Sequence, residues 1–354
     1  MEILKRLLII APLAVLWILP LSGQEDARLP STSSRLPRKV IVGSAMEAFW
    51  VEYPGLQRRL EQLSDLIDRM SQESLKAYGR DLDLAVLPEV AVTGEAGDDV
   101  FAHSFPWDGP VKETFSRKAR EHHCYIVVPT YLLEGEGSKK IASNVGVLLD
   151  RQGAVVGVYR KVHPAVDDKT DSMEGGITPG QEVPVFDCDF GKVGIQICFD
   201  IYFDSGWNEL ARKGAELVIW PSQTPQTVRP AFQALQHRFY VVSSTWRNNA
   251  SLFEPTGRIT AQIKPPQKFL VQEIDLSYAI VPWSAKLKKG ATLKASYGDR
   301  IGFHYYEDED CGVFWSNDAK VTIREMIQSI GARETEEEMA HVRGVFRRAG
   351  IPRD

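Results

Sequence analysis

The feature that most constrains the fold of this chain is a regular alternation of short apolar runs with segments of helical periodicity. A predicted first strand, Lys39–Ala45, precedes a segment whose apolar side chains recur at helical spacing and which stops at Gly79. A strand over residues 82–89, a helix over residues 111–122 and a strand from Cys124 follow. This βαβαβ order predicts an α/β protein whose buried strands are covered by helices.

A second alternation of the same kind occupies the middle of the chain. Its predicted elements are a strand ending at Cys198, a helix over 204–214, a strand over 215–221, a helix over 230–236, a strand over 239–246, and strands near 251–263 and 269–275. Neither an internal repeat nor a change in composition separates the two halves. We therefore expect one domain built from layered sheets with helices on their outer faces.

Composition excludes some classes of partner. The net charge is −5, from 42 basic and 47 acidic residues that are mixed along the chain, so no basic stripe predicts nucleic-acid binding. The four cysteines form no CxxC pair and no Cys/His spacing typical of a zinc site. We therefore predict a small-molecule substrate, no metal and no cofactor.

The first residues have the pattern of an export signal. Lys5 and Arg6 precede an apolar run that ends near Leu21, and small residues follow at Ser22 and Gly23. The sequence thus predicts a signal peptide over 1–23, a polar linker over 24–38 and an exported protein, with an uncleaved membrane anchor as the alternative. Export would allow one disulfide among Cys124, Cys188 and Cys311.

Three reactive side chains share one position relative to the predicted strands. Glu89, Lys161 and Cys198 each lie at or just after the C-terminal end of a strand, the edge where ligands bind in open α/β sheets. A cysteine nucleophile needs a base, and a buried glutamate of raised pKa is suited to that work. Attack on a carbonyl carbon develops negative charge on its oxygen, which an ammonium and the backbone N–H of Phe199 would stabilise.

These three residues lie in motifs that resemble a known family. The ordered set LPE, YRK and GIQICFD, with TPG at 178–180 and NASLFEPTG at 249–257, resembles the Glu-Lys-Cys signature of the carbon-nitrogen hydrolases, the nitrilase superfamily. The resemblance covers roughly residues 39–275. It implies an α/β fold of the four-layer α-β-β-α sandwich type, with domains that pair through their α-faces as homodimers or higher homo-oligomers.

The resemblance also implies roles for individual residues. Glu89 would be the general base, Lys161 the oxyanion stabiliser and Cys198 the nucleophile, and Glu174 is the candidate for a second glutamate found in many members. This chain departs from the family where Gln236 and His237 replace a usual Glu-Asn pair.

Three further side chains near these motifs have weaker assignments. His163 is expected to be structural or to lie at the rim of the site. Trp220 and Trp246 are expected either in the pocket wall or in the core.

The tail differs in character from the domain predicted over 39–280. We expect residues 281–354 to form an extension that packs on the domain or at the dimer interface. Thr335 with Glu338 three residues later has the pattern of a capping box that begins a last helix.

The predicted activity is hydrolysis of a non-peptide amide through an acyl-thioester on Cys198. The alternatives are a nitrilase or N-carbamoyl hydrolase, an acyltransferase with the same triad, and a secreted binding protein without turnover. The dipeptide Phe199-Asp200 after the cysteine resembles the amidase branches more than the nitrilases, which usually carry Cys-Trp-Glu.

Overall fold

The computed structural model describes residues 32–49, 52–95, 99–169 and 171–351 of the chain. The strands are β1 (Lys39–Ala45), β2 (Leu84–Val86), β3 (Tyr125–Glu134), β4 (Ile141–Leu149), β5 (Val155–Arg160), β6 (Val185–Cys188), β7 (Gly191–Ile195), β8 (Leu217–Ser222), β9 (Tyr240–Thr245), β10 (Ala250–Phe253), β11 (Ile259–Ile263), β12 (Phe269–Asp275), β13 (Tyr278–Pro282), β14 (Ile301–Tyr306) and β15 (Cys311–Ser316). The helices are α1 (Leu56–Tyr78), α2 (Pro110–Glu121), α3 (Asp204–Arg212), α4 (Val228–His237), α5 (Ala291–Tyr297), α6 (Ile323–Ser329) and α7 (Thr335–Arg348).

Two six-stranded sheets form the centre of the fold. The first has the order β12-β1-β2-β3-β4-β5 and the second the order β11-β10-β9-β8-β7-β6. Each contains three adjacent parallel strands, β1-β2-β3 and β7-β8-β9, with antiparallel strands on both sides. Parallel neighbours need crossover connections, and helices α1, α2, α3 and α4 supply them.

Four layers follow from the way that alternate residues of a strand face opposite sides of its sheet. In β1, Ile41 packs with Leu63 of α1, whereas Val40 and Val42 point to the other face and pack with Ile219 of the second sheet. The outer face of the second sheet packs against α3 and α4 around Trp207. The result is the predicted α-β-β-α sandwich, which is confirmed.

Helix α1 forms as its sequence predicts. Leu60, Leu63, Ile67 and Met70 recur at helical spacing and all are buried. Gly79 ends the helix in the left-handed conformation, with φ of 69°, which glycine adopts without steric cost. Helix α1 thus covers the outer face of the first sheet.

The C-terminal segment has its own small core. Strands β13, β15 and β14 form a three-stranded antiparallel sheet that packs with α5 and α6 around residues such as Phe314 and Met326. His304 of β14 contacts the buried Glu254 next to the second sheet, with 3.1 Å between Nδ1 and Oε2. This contact joins the segment to the sandwich.

The predicted capping box at Thr335 is wrong. Helix α7 does begin at Thr335, but its N-cap is Glu334 and no side chain caps it. The Thr335 hydroxyl instead donates to the carbonyl oxygen of Ile280 over 3.0 Å, because a contact with β13 is available to it. A capping box forms at α6, where Thr322 and Glu325 bond reciprocally.

Two predictions concern the N-terminus and the cysteines. The predicted signal peptide lies outside the described residues. Within the part of the chain that is described, no helix is long and apolar enough to cross a membrane. All four cysteines lie in that part and are free thiols, so the disulfide that the sequence allows is not formed.

Candidate active site

The three reactive residues meet at one cavity between the edges of the two sheets. Glu89 follows β2 and Lys161 follows β5, both in the first sheet, whereas Cys198 follows β7 in the second sheet. All three line a cavity of about 390 Å³, together with Glu174 and Phe199. The two central sheets therefore contribute different parts of one site.

Lys161 lies between two carboxylates. Its Nζ is 2.8 Å from Glu89 Oε1 and also donates to Glu174 Oε1, and its side chain is 1% exposed. Burial opposes the charged form, but Glu89, Cys198 and Glu174 outweigh it, so the pKa of Lys161 lies well above its ordinary range. Lys161 is therefore an ammonium.

Glu174 occupies this position because its loop turns sharply. Its φ is 44°, and its backbone N–H donates to Ala165 O over 3.1 Å. The Ala165 N–H donates in return to Glu174 Oε1 over 2.9 Å. The loop after Lys161 thus closes on itself and directs Glu174 towards the lysine.

Asn144 of β4 connects the two glutamates, and sequence reasoning missed it. Its Nδ2 donates to Glu89 Oε1 over 2.9 Å and to Glu174 Oε2 over 3.0 Å. A buried asparagine inside the apolar run ASNVGVLLD is the signal that could have identified it, since buried polar groups need partners. Asn144 and Lys161 together bridge both carboxylates.

Glu89 is fixed through its side chain and through its backbone. Its Oε2 accepts from the backbone N–H of Gln223 over 3.0 Å, and its carbonyl oxygen accepts from the indole of Trp246 over 2.8 Å. Burial raises the pKa of Glu89, and Lys161 opposes the rise. The carboxyl group is thus held in place with an affinity for a proton above that of an ordinary glutamate.

Cys198 lies at the start of a short 3₁₀ helix in a conformation that few non-glycine residues adopt. Its φ is 43°, and its carbonyl oxygen accepts from the Trp220 indole over 3.1 Å. The thiol contacts the Glu89 carboxylate and the Ser222 hydroxyl. Burial raises the pKa of the thiol to about 12, and the charge of Glu89 adds to the rise. Cys198 is therefore protonated until a base removes its proton.

Asp200 fixes the turn that carries Cys198. Its Oδ2 accepts from the Ile197 N–H over 2.9 Å and from the Tyr159 hydroxyl over 2.7 Å. Its Oδ1 accepts from the backbone N–H of His163 over 2.9 Å and contacts His163 Nδ1 at 3.0 Å. Sequence reasoning had not assigned Asp200 a role.

The remaining residues that sequence reasoning singled out lie around this centre. Phe199 lines the cavity from the first turn of the 3₁₀ helix. His163 stacks on Phe203 with ring centroids 4.0 Å apart, and it is partly exposed at the edge of the site. Trp220 and Trp246 are buried in the core, where each supports the backbone of one reactive residue.

A separate cluster offers atoms that ligate metals. Within the described residues, Asp68, Glu121 and His122 place such atoms close together. The ammonium of Lys118 already contacts this cluster, 2.5 Å from Asp68 Oδ1 and 3.1 Å from Glu121 Oε2. The cluster is a set of ion pairs on α1 and α2 and does not line the cavity.

Sequence comparison finds relatives of this chain. Residues 51–281 match the sequence model of the carbon-nitrogen hydrolase family. A Pyrococcus abyssi protein named as a nitrilase is 31% identical over 169 residues, which are 46% of this chain and 61% of that protein. A Xenopus laevis omega-amidase is 26% identical over 61% of this chain and 84% of its own length. A human deaminated glutathione amidase is 27% identical over 49% of this chain and 61% of its own length.

Solved structures share the fold. Nit3 of Saccharomyces cerevisiae, described as a member of branch 10 of the nitrilase superfamily, aligns with a TM-score of 0.58 at 21% identity, over 68% of this chain and 91% of that one. An amidase from Nesterenkonia sp. aligns with a TM-score of 0.56 at 17% identity, over 68% and 91%. These likenesses agree with the four-layer architecture.

Proposed function

This chain belongs to the carbon-nitrogen hydrolase family, and from that premise we propose that it hydrolyses the C–N bond of a non-peptide amide through an acyl-thioester on Cys198. The observation that carries the proposal is the meeting of Glu89, Lys161 and Cys198 at one cavity. A thiol, a carboxylate of raised pKa and a buried ammonium are the groups that acyl transfer from nitrogen needs.

Acylation begins with proton transfer from the thiol. Glu89 removes the proton of Cys198 as Sγ forms a bond to the carbonyl carbon. The carbonyl oxygen becomes negative, and the Lys161 ammonium with the Phe199 N–H stabilises it. Glu89 then returns its proton to nitrogen as the C–N bond breaks, so ammonia or an amine leaves and the acyl group stays on sulfur.

Deacylation uses the same groups with water in place of the thiol. Glu89 removes a proton from the water, whose oxygen attacks the thioester carbon. The C–S bond then breaks and the proton returns to sulfur, which yields a carboxylic acid and the free enzyme.

Glu174 and Asn144 act by holding the other groups. A second carboxylate on Lys161 keeps it charged, and the shared amide of Asn144 fixes the positions of Glu89 and Glu174. We infer that both are positioning residues for this reaction. Neither residue exchanges a proton with the substrate in this mechanism.

An amide is the substrate class that several observations favour. Two of the relatives are named as amidases, and the Cys198-Phe199-Asp200 motif resembles amidase branches. Nitriles are the second candidate class of substrate, because one relative is named as a nitrilase. Hydrolysis of N-carbamoyl groups and acyl transfer to an amine are variants of the same chemistry. The intact triad argues against a binding protein without turnover.

Ammonia release tests this proposal. The purified chain is incubated with amides, nitriles and carbamoyl amino acids, and ammonia and the acid product are measured. Cys198→Ala should lower turnover by at least about a thousandfold. The matched control is Cys311→Ala, which removes the free cysteine at the start of β15 and should retain activity. Full activity of Cys198→Ala would overturn the mechanism.

We further propose that the chain forms a homodimer through the face that carries α4. Val228 of α4 is 81% exposed and Phe232 is 51% exposed, and Leu235 on the same helix is exposed as well. Apolar side chains grouped in this way are typical of an interface. Light scattering should give twice the monomer mass, and Phe232→Glu should lower it. A monomeric wild-type protein would contradict this proposal.

We also propose that the chain is exported and that the mature form begins near Gln24. The supporting observation is the charged start followed by an apolar run. Intact-mass measurement of protein from an exporting host should show loss of the first 23 residues. A product that keeps Met1 would refute cleavage.

A further inference from the structure

The wall of the catalytic cavity carries a surplus of negative charge. Of the described residues that line it, Glu89, Glu95 and Glu174 are acidic and Lys161 is basic, and no arginine or histidine belongs to this set. Three carboxylates therefore face one ammonium. This balance bears on which amides the cavity admits, an inference that rests on the proposed function.

Lys161 is not available to attract an anionic substrate group. It is 1% exposed and contacts both Glu89 and Glu174, so its charge is already balanced by two carboxylates. A carboxylate of the substrate would have to compete with both. The lysine can stabilise a developing oxyanion at the scissile carbonyl, but it does not give the rest of the cavity a net positive charge.

Glu95 also lines the cavity, but it has no role in the proposed chemistry of the triad. It is exposed, and it forms no ion pair with any other described residue. Its charge reaches the Tyr131 hydroxyl in the cavity wall: burial raises the pKa of that hydroxyl above all, and Glu174, Glu89 and Glu95 add to the rise. Glu95 thus supplies an unbalanced negative charge at the cavity.

Aromatic rings complete the wall. Tyr131, Phe199 and Tyr202 line the cavity. The faces of such rings attract cations, and the Tyr202 ring already holds one, Arg229. Arg229 is a nearby cation that could bind an anionic substrate group. It stacks on Tyr202 at 4.3 Å, however, and with Asp204 it lines the neighbouring cavity instead of the catalytic one. The catalytic cavity itself joins aromatic rings to a free carboxylate.

We propose that the cavity selects amides that carry a positive charge away from the scissile bond, and that Glu95 is the residue that recognises this charge. A protonated amine on the acyl chain is the simplest such group. Amides with a carboxylate at that position are disfavoured, because the wall residues that the structure describes include no unpaired cation.

Three amides that share one acyl skeleton test the selection by turnover. Butanamide is neutral, β-alaninamide is cationic at neutral pH, and succinamate is anionic. We expect kcat/KM, corrected for the alkaline hydrolysis rate of each compound, to fall in the order β-alaninamide, butanamide, succinamate. Glu95→Gln should lower the ratio of cationic to neutral turnover about fivefold. Glu113→Gln removes an exposed glutamate of α2 outside the cavity and should leave that ratio unchanged.

Thiol labelling tests the same charge without turnover. Aminoethyl methanethiosulfonate is cationic and sulfonatoethyl methanethiosulfonate is anionic, and peptide mass spectrometry reports the labelling of Cys198 alone. Relative to free cysteine, we expect Cys198 to favour the cationic reagent by about tenfold, because a charged cleft concentrates ions of opposite sign. Glu95→Gln and added salt should both reduce this preference.

The two measurements separate the two proposals. Preference for succinamate or for the anionic reagent, or an unchanged ratio in Glu95→Gln, would overturn the charge selection even if ammonia is released. Absence of ammonia from every amide, with cationic labelling still favoured, would overturn the proposed hydrolysis and leave the charge selection standing.

Discussion

The Oδ1 atom of Asp200 accepts a hydrogen bond from the backbone N–H of His163 over 2.9 Å. His163 lies two residues after Lys161, beyond the end of β5 in the first sheet. Asp200 lies two residues after Cys198, in the 3₁₀ helix that follows β7 of the second sheet. Because the other oxygen of Asp200 binds the turn at Ile197, this buried carboxylate ties the lysine loop to the nucleophile turn. The side chain of Asp200 therefore helps to fix the distance between the ammonium and the thiol through its bonds to Ile197, Tyr159 and His163.

Replacement of this carboxylate by an amide should damage both stability and catalysis. In Asp200→Asn, an NH₂ group replaces one acceptor oxygen. This donor then faces the backbone N–H of Ile197 or of His163, and an N–H cannot accept a hydrogen bond. We expect the free energy of unfolding to fall by about 2 kcal/mol, the cost of one unsatisfied buried group. We also expect kcat to fall more than KM rises. Denaturant titration and steady-state kinetics measure these changes.

The matched control for this change is Asp187→Asn. Asp187 lies on β6, its side chain is 80% exposed, and it pairs with Lys192 at the surface. We expect a stability change within about 0.5 kcal/mol, as is usual for surface substitutions. Equal behaviour of the two variants would show that Asp200 does not hold the turn.

Removal of the charge of Glu89 should have opposite effects on two reactions of Cys198. Glu89→Gln should abolish amide hydrolysis because the base is lost. The same change should speed alkylation by iodoacetamide, because the charge of Glu89 raises the pKa of the thiol whereas Lys161 lowers it. With the carboxylate gone, the lysine favours the thiolate, which is the reactive form.

The comparison needs labelling rates for the wild type and Glu89→Gln at one pH, read at Cys198 by mass spectrometry. Cys124 is buried in the core and serves as an internal reference for unfolding. Slower labelling of Cys198 in the variant would mean that Glu89 activates the thiol even towards a simple alkylating reagent, contrary to this prediction.

Removal of the indole N–H that binds the Cys198 carbonyl oxygen should destabilise the turn that carries the nucleophile. In Trp220→Phe the Cys198 carbonyl oxygen loses its donor, and a buried acceptor without a partner costs about 1–3 kcal/mol. We expect lower stability and lower kcat. Trp283→Phe is the control, since Trp283 is 56% exposed. If thermal unfolding and kinetics show equal effects in both variants, the hydrogen bond has no special role.

The pH dependence of turnover should reflect the raised pKa of Glu89. The base must be unprotonated to act, so kcat/KM should fall as the pH drops through a value above the ordinary 4.5 of a glutamate. Because the pKa of Cys198 is about 12 and that of Lys161 lies well above 10.5, no decline should occur up to about pH 10. A profile with neutral butanamide tests this. An acid limb below pH 4.5 would contradict it.

Much of the fold could be predicted because its signals are local. Helix α1 follows from apolar spacing and a terminal glycine, and the strands follow from apolar runs between turns. The capping box at Thr335 failed for the converse reason. Its pattern is equally local, but the hydroxyl binds Ile280, which is 55 residues away in the chain.

The residues of the site divide in the same way. Glu89, Lys161 and Cys198 could be singled out because each has a reactive side chain at a strand end. Asn144 and Asp200 were not assigned roles, because their partners are distant in the chain and the hydrogen bonds exist only once the sheets are packed. Sequence patterns report the elements that carry a site better than the contacts between those elements.

Amides should react faster than nitriles that carry the same acyl group. Expulsion of an amine requires a proton on nitrogen as the C–N bond breaks, and a carboxyl group of raised pKa beside Cys198 is suited to deliver it. A nitrile first forms a thioimidate, which must gain water before ammonia leaves, so a site can lose one activity and keep the other. We expect kcat/KM for butanamide to exceed that for butanenitrile by at least about tenfold. Both compounds are neutral and share one acyl group, so charge selection at Glu95 does not influence the comparison. Faster release of butanoate from the nitrile would assign this chain to nitrile hydrolysis instead.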